Sequence, residues 1–195
     1  PGAAARLAQA DAAADAIRQA GYVAIGLDHF ALPDDPLAQA AAAGTLRRNF
    51  QGYTTDAASA LLGFGATSIG RMPQGYVQNV AETGAWARAV AAGRLPIAKG
   101  RALAGEDALR GYVIETVMCQ GAVDLDAAGR RFAAPAGWQA DAEPALAEMA
   151  ADGLLRREGA RIELTSAGRP LARVVAAVFD AYLRPAAAAR HSVAV

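Results

Sequence analysis

The stretch EDALRGYVIETVMCQ, residues 106–120, decides the fold of the second half of the chain. Its apolar residues recur at the spacing of one helix face, and its first turn carries Glu106 and Asp107, which interact favourably with the positive end of a helix dipole. The pattern predicts an amphipathic helix over residues 106–120. We expect its buried face to consist of Leu109, Val113, Ile114, Val117 and Met118.

The residues after this helix predict a mainly helical module. Two shorter helices are predicted over residues 125–132 and 141–152, followed by a hairpin over 154–164. Thr165 is placed to cap a long final helix, although Pro170 favours a later start. The order helix, helix, helix, hairpin, helix is typical of a winged-helix domain.

The residues before this stretch alternate between helical and strand patterns. The sequence predicts helices over 3–20, 37–43 and 76–93, strands over 22–27 and 47–55, and a glycine-rich apolar run over 61–70. This alternation is typical of the parallel sheet or barrel of a β/α fold. Pro96 and Gly100 mark a boundary within residues 94–104. We therefore expect an α/β domain over residues 1–95 and an α+β domain over 96–195.

Composition and charge exclude several classes of protein. The chain has 195 residues, of which 54% are hydrophobic and 19% are charged, so it can bury a core and is not a disordered polymer. Nineteen basic residues balance 19 acidic ones, without the basic excess of a typical nucleic-acid-binding protein. No apolar run approaches the roughly 18 residues that a membrane-spanning helix needs. No signal peptide is visible, so we expect a cytoplasmic protein with neither a membrane nor a nucleic-acid partner.

Two short segments of the first domain carry candidate functional residues. Asp28-His29 follows the first predicted strand, at the end where β/α folds place function. His29 is either an acid, base or ligand, or a hydrogen-bonded residue that fixes a loop. The run from Gly63 to Gly70 would let a ligand approach the backbone closely, but a tightly packed strand explains it equally well. The run lacks both the spacing of a dinucleotide site and the lysine of a P-loop.

A third segment, from Arg47 to Thr55, combines two guanidinium groups, two amides and two aromatic rings. Guanidinium groups pair bidentately with carboxylates, and aromatic side chains pack on flat rings. The composition therefore favours a flat, polyanionic organic ligand, with a polar edge strand as the alternative.

Four blocks of sequence together resemble the C-terminal part of the oxygen-independent coproporphyrinogen III oxidases, which are radical SAM enzymes of haem biosynthesis. The blocks are GLDHFALPDD (26–35), RNFQGYTT (48–55), LLGFGATSIG (61–70) and YVQN (76–79). Weaker similarity continues through DGLL (152–155), LTSAGR (164–169) and FDAYLR (179–184). The second block is similar to the oxidases rather than to the related haem-chaperone branch. The resemblance implies the last β/α units of a partial TIM-like barrel, followed by the winged-helix-like domain.

The resemblance also implies a reaction and its cofactors. The parent enzyme would oxidatively decarboxylate two propionates of coproporphyrinogen III to vinyl groups, giving protoporphyrinogen IX. It would use S-adenosylmethionine and a 4Fe-4S cluster, together with an electron donor or acceptor. By the resemblance, Phe50, Gln51 and Ile69 belong to the region of S-adenosylmethionine and substrate, with Gly65, Ala66 and Ser68 in the backbone around them. The charge of Arg48 favours pairing with a propionate, and Asp28 and His29 are further candidates for substrate contact.

The chain departs from this family in its cysteines. The family holds its cluster with the motif Cys-x-x-x-Cys-x-x-Cys, whereas this chain has only Cys119, which does not match that motif. We expect Cys119 to be a buried, inert thiol, and one cysteine also excludes a disulfide framework. No metal site is therefore predicted in this segment, and the catalytic residues within it are unknown from the sequence. The missing N-terminal half of the same chain is an expected partner, without which the segment should be inactive.

Two other functions stay open on the sequence alone. A winged helix could bind nucleic acid, but the helix over 141–152 carries four acidic residues and no Arg or Lys, so phosphates would be repelled. A haem-carrying interaction module would need an axial ligand, for which His29 is the better-placed histidine. His191 belongs to a tail from Pro185 that is expected to be loosely held.

Overall fold

The computed structural model describes residues 2–183. The helices are α1 (Ala3–Gln19), α2 (Pro36–Ala42), α3 (Thr83–Ala91), α4 (Asp107–Gln120), α5 (Leu125–Arg131), α6 (Glu143–Ala151) and α7 (Ala172–Ala177). The strands are β1 (Val23–Ile25), β2 (His29–Ala31), β3 (Arg47–Asn49), β4 (Gly52–Thr54), β5 (Ile69–Met72), β6 (Gly75–Asn79), β7 (Ile97–Ala102), β8 (Ala122–Asp124), β9 (Leu155–Glu158) and β10 (Arg161–Leu164). Arg184 of the FDAYLR block, the tail from Pro185 and His191 lie outside the described residues.

The described residues form two compact units that are not the two halves of the sequence. The first unit contains the residues up to Thr55 together with those from Leu109 onward. The second unit is Asp56–Ala108. The expected boundary between residues 95 and 96 falls inside the second unit, and it stays a prediction about domains.

The main core of the first unit lies where the opening stretch of sequence predicted it. The predicted helix over 106–120 is confirmed as α4, which contributes Leu109, Val113, Val117 and Met118 to a core shared with α5, α6, α7 and the strands β8–β10. Each such side chain stabilises the fold by about 1.5–3 kcal/mol when it is fully buried. Ile114 is only partly buried, whereas Cys119 is buried in a second cluster. The helix is therefore covered on two sides rather than along one stripe.

The second cluster packs the segment from β1 to β4 against α4. Its buried members are Ile25, Ala31, Ala38, Ala40, Leu46, Tyr53 and Cys119. Cys119 belongs to α4, Leu46 directly precedes β3, and the other members come from β1, β2, α2 and β4. Helix α2 begins after Asp35, whose side chain accepts a hydrogen bond from the Leu37 amide at 2.7 Å. This cap and Pro36 at the first helical position fix where the helix starts.

The end of the first unit confirms the predicted hairpin and corrects the predicted last helix. Strands β8, β10 and β9 form an antiparallel sheet in that order. The Thr165 hydroxyl accepts a hydrogen bond from the Gly168 amide at 3.1 Å, but the residues behind it form a 3-10 turn, Arg169–Leu171, and α7 begins only at Ala172. Pro170 has no amide hydrogen for a helical bond, which delays the helix.

The second unit corrects two local predictions. Residues 76–93, predicted as one helix, form the strand β6 and then the helix α3. The Glu82 carboxylate caps α3 by accepting hydrogen bonds from the amides of Gly84 and Ala85, so the helix starts there rather than at Tyr76. The expected linker over 94–104 contains the strand β7, which completes the antiparallel sheet β5-β6-β7.

The pairing of the strands also differs from the expectation. The sequence predicted parallel strands, but every ladder between described residues is antiparallel. Strands β1 and β2, β3 and β4, and β5 and β6 are each joined by two or three residues, and so short a link allows only antiparallel pairing. Helix α1 contributes little to the core, because residues 4–13 are exposed and Ala14 and Ile17 are only half-buried.

Candidate functional site

The hairpin β3–β4 carries three of the predicted site residues. Its register pairs Arg47 with Thr54, Arg48 with Tyr53 and Asn49 with Gly52. The Asn49 side chain accepts a hydrogen bond from the Gln51 amide at 2.8 Å, and Gly52 adopts a φ of 138° that favours glycine. The turn therefore presents Phe50 and Gln51 at an exposed tip, where 56% of the Phe50 surface is accessible.

An ion pair holds the first strand of this hairpin against helix α4. The Arg47 guanidinium donates to both carboxylate oxygens of Glu115, from Nε at 2.8 Å and from Nη2 at 3.3 Å. The same carboxylate accepts a hydrogen bond from the Arg48 amide at 3.2 Å. The hydrogen bond to Glu115 raises the pKa of Arg47 above its usual value. This carboxylate thus binds both the side chain of β3 and its backbone.

Tyr53 holds the second strand and, with it, the turn between β1 and β2. Its hydroxyl donates to the Met118 carbonyl at 3.0 Å and accepts from the Leu27 amide at 2.9 Å. Burial raises the pKa of this phenol. Gly26 lies so close that a Cβ there would stand 2.0 Å from Cζ of the Tyr53 ring. The tight turn at Gly26 and the ring of Tyr53 therefore fit together only with glycine at that position.

Arg48 lies against the ring of Tyr53. Its guanidinium carbon is 4.6 Å from the ring centroid, which is within the range of a cation–π interaction. Nη1 of Arg48 is buried and has no hydrogen-bond partner among residues 2–183. A buried guanidinium nitrogen without a partner favours an oxygen ligand, and a guanidinium pairs bidentately with a carboxylate or a phosphate.

The predicted pair Asp28-His29 lies on the same side of the fold. It is a turn and the first residue of β2, rather than the end of a parallel strand. Nδ1 of His29 is 2.7 Å from the Asp28 carboxylate, and its ring meets the Tyr53 ring edge-on with centroids 5.1 Å apart. Both Asp28 and His29 are exposed. The contact with Asp28 orients the imidazole and leaves Nε2 on its other side.

The glycine loop, residues 61–70, carries the remaining predicted residues and belongs to the second unit. Leu61 pairs with Arg71 through their backbones. The side-chain amide of Asn79 donates hydrogen bonds to the carbonyls of Gly63 at 3.2 Å and Gly65 at 2.9 Å. A Cβ on Gly63 would lie 2.9 Å from Cβ of Ser68. The loop is therefore folded tightly on itself, which leaves no room for a side chain at Gly63.

Gly65, Ala66, Ser68 and Ile69 lie together in or beside this loop. The Ser68 hydroxyl donates to the Phe64 carbonyl, and Ile69 begins the strand β5. Thr67 adopts a φ of 63°, which is unusual for a β-branched residue. The predicted residues thus form two groups. Asp28, His29, Arg48, Phe50 and Gln51 belong to the first unit, and the loop residues belong to the second.

The residues of this chain do not fit an iron–sulfur cluster. Cys119 is buried in the second cluster of the core, and burial raises the pKa of its thiol to about 12. A cluster is ligated by several thiolates, and this one thiol stays protonated. Among the described residues, no three His, Cys, Asp or Glu side chains lie together as metal ligands.

Two residues that position the hairpin, Glu115 and Tyr53, were not identified from the sequence. Tyr53 stands within the block RNFQGYTT, where an aromatic residue among polar ones was a usable signal. Glu115 is an acidic residue in the middle of the predicted amphipathic helix, directly after Val113 and Ile114 of its apolar face. Its partner is 68 residues away in sequence, so only the folded chain reveals the pair.

No helix among the described residues combines the length and the apolar character needed to cross a bilayer.

Comparisons with known proteins agree with the resemblance. Residues 103–171 match the HemN C-terminal domain. The chain is 50% identical over 182 residues to the oxygen-independent coproporphyrinogen III oxidase of Bradyrhizobium diazoefficiens, a match that covers 93% of this chain and 40% of that protein. A protein of the same description from Cereibacter sphaeroides is 43% identical over 91% of this chain and 39% of its own length.

A solved structure gives the same result for the fold. The coproporphyrinogen III oxidase HemN of Escherichia coli, described as a radical SAM enzyme, matches with a TM-score of 0.88 and 34% identity over 94% of this chain and 42% of its own. The mixed α/β content expected from the sequence is therefore confirmed. The chain spans about two fifths of the length of the proteins that it matches. The resemblance found in the four blocks is confirmed: the chain is similar to the C-terminal part of oxygen-independent coproporphyrinogen III oxidases, and residues 103–171 match the HemN C-terminal domain.

Proposed function

We propose that this chain is the C-terminal part of an enzyme that oxidatively decarboxylates two propionates of coproporphyrinogen III to vinyl groups, giving protoporphyrinogen IX. One observation carries the proposal: 93% of the chain is 50% identical to an oxygen-independent coproporphyrinogen III oxidase. The identity spans both units of the fold, so it is not limited to one shared domain. The electron donor or acceptor is a further partner in this proposal.

Arg48 is the residue best suited to bind the substrate. The substrate carries propionate carboxylates, and a guanidinium pairs with a carboxylate through two parallel hydrogen bonds. The buried Nη1 of Arg48 has no partner among residues 2–183, which supports this role. His29 lies against the same tyrosine ring as Arg48, and Asp28 orients it. His29 and Asp28 therefore form a second polar contact for the substrate in this proposal.

The tip of the hairpin, in the first unit, and the glycine loop, in the second, are each proposed separately as a segment that contacts S-adenosylmethionine. When bound, this cofactor supplies the abstraction of a hydrogen atom from a propionate. The exposed ring of Phe50 offers a flat surface and Gln51 offers an amide, both suited to a nucleoside. Gly65, Ala66 and Ser68 offer a close backbone approach, with Ile69 as an apolar wall.

In this proposal another part of the parent protein binds the iron–sulfur cluster. Cys119 does not fit it, so its ligands come from the N-terminal half of the parent protein, which is the partner of this chain. Residues 1–95 are proposed as the C-terminal portion of a TIM-like barrel core in the cytoplasm, with strands β1 to β6 added as antiparallel hairpins rather than as parallel β/α units. Residues 96–195 are proposed as a winged-helix-like domain, supported by the succession of α4, β8, α5, α6 and the β9–β10 hairpin.

The experiment uses the complete gene product that contains this chain, assayed without oxygen on coproporphyrinogen III. Gln51→Ala should lower kcat/KM at least about tenfold while leaving the unfolding midpoint in place, because the side chain is exposed. Arg48→Lys should weaken substrate binding about tenfold, because lysine cannot form the bidentate pair. Wild-type turnover in Gln51→Ala would remove the tip from the site, and a wild-type enzyme that forms no vinyl product would overturn the proposed function.

A further inference from the structure

We propose that Glu115 of helix α4 is a positioning residue that sets the placement of Arg48, Phe50 and Gln51 through its contacts with the β3–β4 hairpin. The role of those three residues rests on the proposed function. The contacts themselves rest on the structure alone. Glu115 lies inside the region that matches the HemN C-terminal domain, whereas the hairpin precedes that region by about 50 residues.

The geometry of the Glu115 carboxylate supports a positioning role. One carboxylate accepts three hydrogen bonds, two from the Arg47 guanidinium and one from the Arg48 amide. It is 20% exposed and Arg47 is 37% exposed, so the pair is partly shielded from water. A carboxylate held by a fork and a backbone amide fixes both the direction of the arginine and the position of the strand.

The alternation of side chains along β3 transmits this constraint to Arg48. Neighbouring residues of a strand point to opposite faces of that strand. Because the Arg47 side chain points towards Glu115 of α4, the Arg48 side chain points to the opposite face of β3, where it lies against Tyr53. The next two residues after Asn49 are the tip, Phe50 and Gln51. Moving the backbone of Arg48 therefore moves the candidate substrate contact and the tip together.

Two more hydrogen bonds connect α4 with the segment that contains the hairpin. The Met118 carbonyl accepts from the Tyr53 hydroxyl at 3.0 Å, and the side-chain amide of Gln120 donates to the Gly44 carbonyl at 3.0 Å. The last turns of α4, from Glu115 to Gln120, thus hold residues 44–54 at several points. Among these contacts, Glu115 alone binds the strand that carries Arg48.

The test replaces the carboxylate by its neutral isostere in the complete gene product that contains this chain. Glu115→Gln puts an amide group against the donors of Arg47 and removes the ion pair. Glu143→Gln is the matched control, because Glu143 also forms a two-point ion pair, with Nη1 of Arg157 at 2.5 Å and Nη2 at 3.2 Å, between α6 and β9. The two variants remove the same charge and the same kind of pair at different places.

Two measurements report the result: amide hydrogen exchange of residues 48–54, and binding of coproporphyrin III, a stable oxidised porphyrin. Glu115→Gln should speed exchange in the hairpin about tenfold and weaken porphyrin binding by a similar factor, with kcat falling less than KM rises. Glu143→Gln should leave both values at the wild-type level. Unchanged hairpin exchange and unchanged porphyrin binding in Glu115→Gln would overturn the proposal, as would an equal effect in Glu143→Gln.

A second variant covers the case in which Glu115→Gln does not fold. Arg47→Lys keeps the positive charge but loses the fork, and it should give the same changes at a smaller size. Wild-type values for Arg47→Lys in both measurements would overturn the proposal. If the wild-type protein neither binds coproporphyrin III nor turns over coproporphyrinogen III, the proposed function fails, and the hairpin exchange still decides whether Glu115 holds the hairpin.

Discussion

The β3–β4 hairpin and the glycine loop both carry candidate functional residues, but the hairpin is held by residues distant in the sequence and the loop by residues nearby. The hairpin is held by side chains of α4, more than 60 residues away, through Glu115 and the contact of Tyr53 with Met118. The glycine loop is held from nearby, by the Asn79 amide and a backbone pair with Arg71. The shape of the hairpin therefore depends on which side chains are present elsewhere, whereas that of the loop depends on backbone freedom and local bonds.

The largest expected effect is at Gly26, which fits against the hairpin. In Gly26→Ala the added Cβ would lie 2.0 Å from the Tyr53 ring, and the φ of 58° at this position is itself unfavourable for alanine. The free energy of unfolding should fall by about 3 kcal/mol or more in denaturant titration. Gly44→Ala is the control, because its φ is 68° with no atom within 4 Å, and it should cost only about 1 kcal/mol. Equal losses in the two variants would contradict the close fit.

The next effect concerns the hydroxyl of Tyr53. Tyr53→Phe leaves the Leu27 amide and the Met118 carbonyl without this partner, so the free energy of unfolding should fall by about 1–3 kcal/mol. Tyr22→Phe changes an exposed tyrosine and should stay within about 0.5 kcal/mol of wild type. Denaturant titration of both variants checks this. A loss at Tyr53 no larger than at Tyr22 would mean that the hairpin is not anchored through its hydroxyl.

Alkaline pH should weaken the cluster that joins the hairpin to α4. Burial raises the pKa of Cys119 to about 12 from an ordinary value of 9.0, so the folded state keeps a proton that the unfolded chain loses. The resulting stability is fully present below pH 9 and is lost as the pH rises towards 12, by roughly 1 kcal/mol between pH 9 and 10. Unfolding of wild type and Cys119→Ala at pH 8, 9 and 10 measures it. Parallel pH profiles for the two proteins would exclude Cys119 as the cause.

In the glycine loop, the expected effect of removing a side-chain contact is smaller. Asn79→Ala removes two hydrogen bonds to the carbonyls of Gly63 and Gly65, which should cost about 1 kcal/mol of unfolding free energy. It should speed proteolysis of the loop without affecting hydrogen exchange in residues 48–54. Gln78→Ala, which loses one bond to the Thr67 carbonyl at 3.1 Å, is a milder comparison. A loop that is cleaved no faster in Asn79→Ala would show that its backbone alone determines its shape.

The smallest expected effect is at Phe64, in the same loop. Its side chain is 86% exposed, so Phe64→Ser should leave the free energy of unfolding within about 0.5 kcal/mol of wild type in the same denaturant titration. A loss above about 1 kcal/mol would show that Phe64 packs against part of the protein, and the contrast between the hairpin and the loop would then be weaker.

Local patterns predicted some elements well and failed at others for identifiable reasons. The helix α4 was predicted to within one residue, because its apolar spacing and its acidic first turn both arise within the helix. Residues 76–93 were misread as one helix because alanines dominate only from Ala81 onward, while Tyr76 and Val77 fit a strand. The capping carboxylate of Glu82, which separates the two elements, is a weaker signal than serine or aspartate at such a position.

The family blocks, rather than spacing, supplied the candidate site residues. The blocks RNFQGYTT and LLGFGATSIG correspond in the structure to the β3–β4 hairpin with its exposed tip and to the glycine loop. The roles of their residues stay predictions. Spacing alone could not separate a ligand site from an edge strand, because the two share polar residues and glycines.

The sequence by itself determined the helix α4, the β9–β10 hairpin, the family resemblance and the lack of cysteines for an iron–sulfur cluster, since each depends on the identity of residues close together in the chain. Only the tertiary structure decided that Glu115 binds Arg47 and that Arg48 and His29 meet at the ring of Tyr53. The partners in the Arg47–Glu115 pair are 68 residues apart. Such contacts form only after the hydrophobic clusters have brought distant segments together, because loop closure must first be offset by burial.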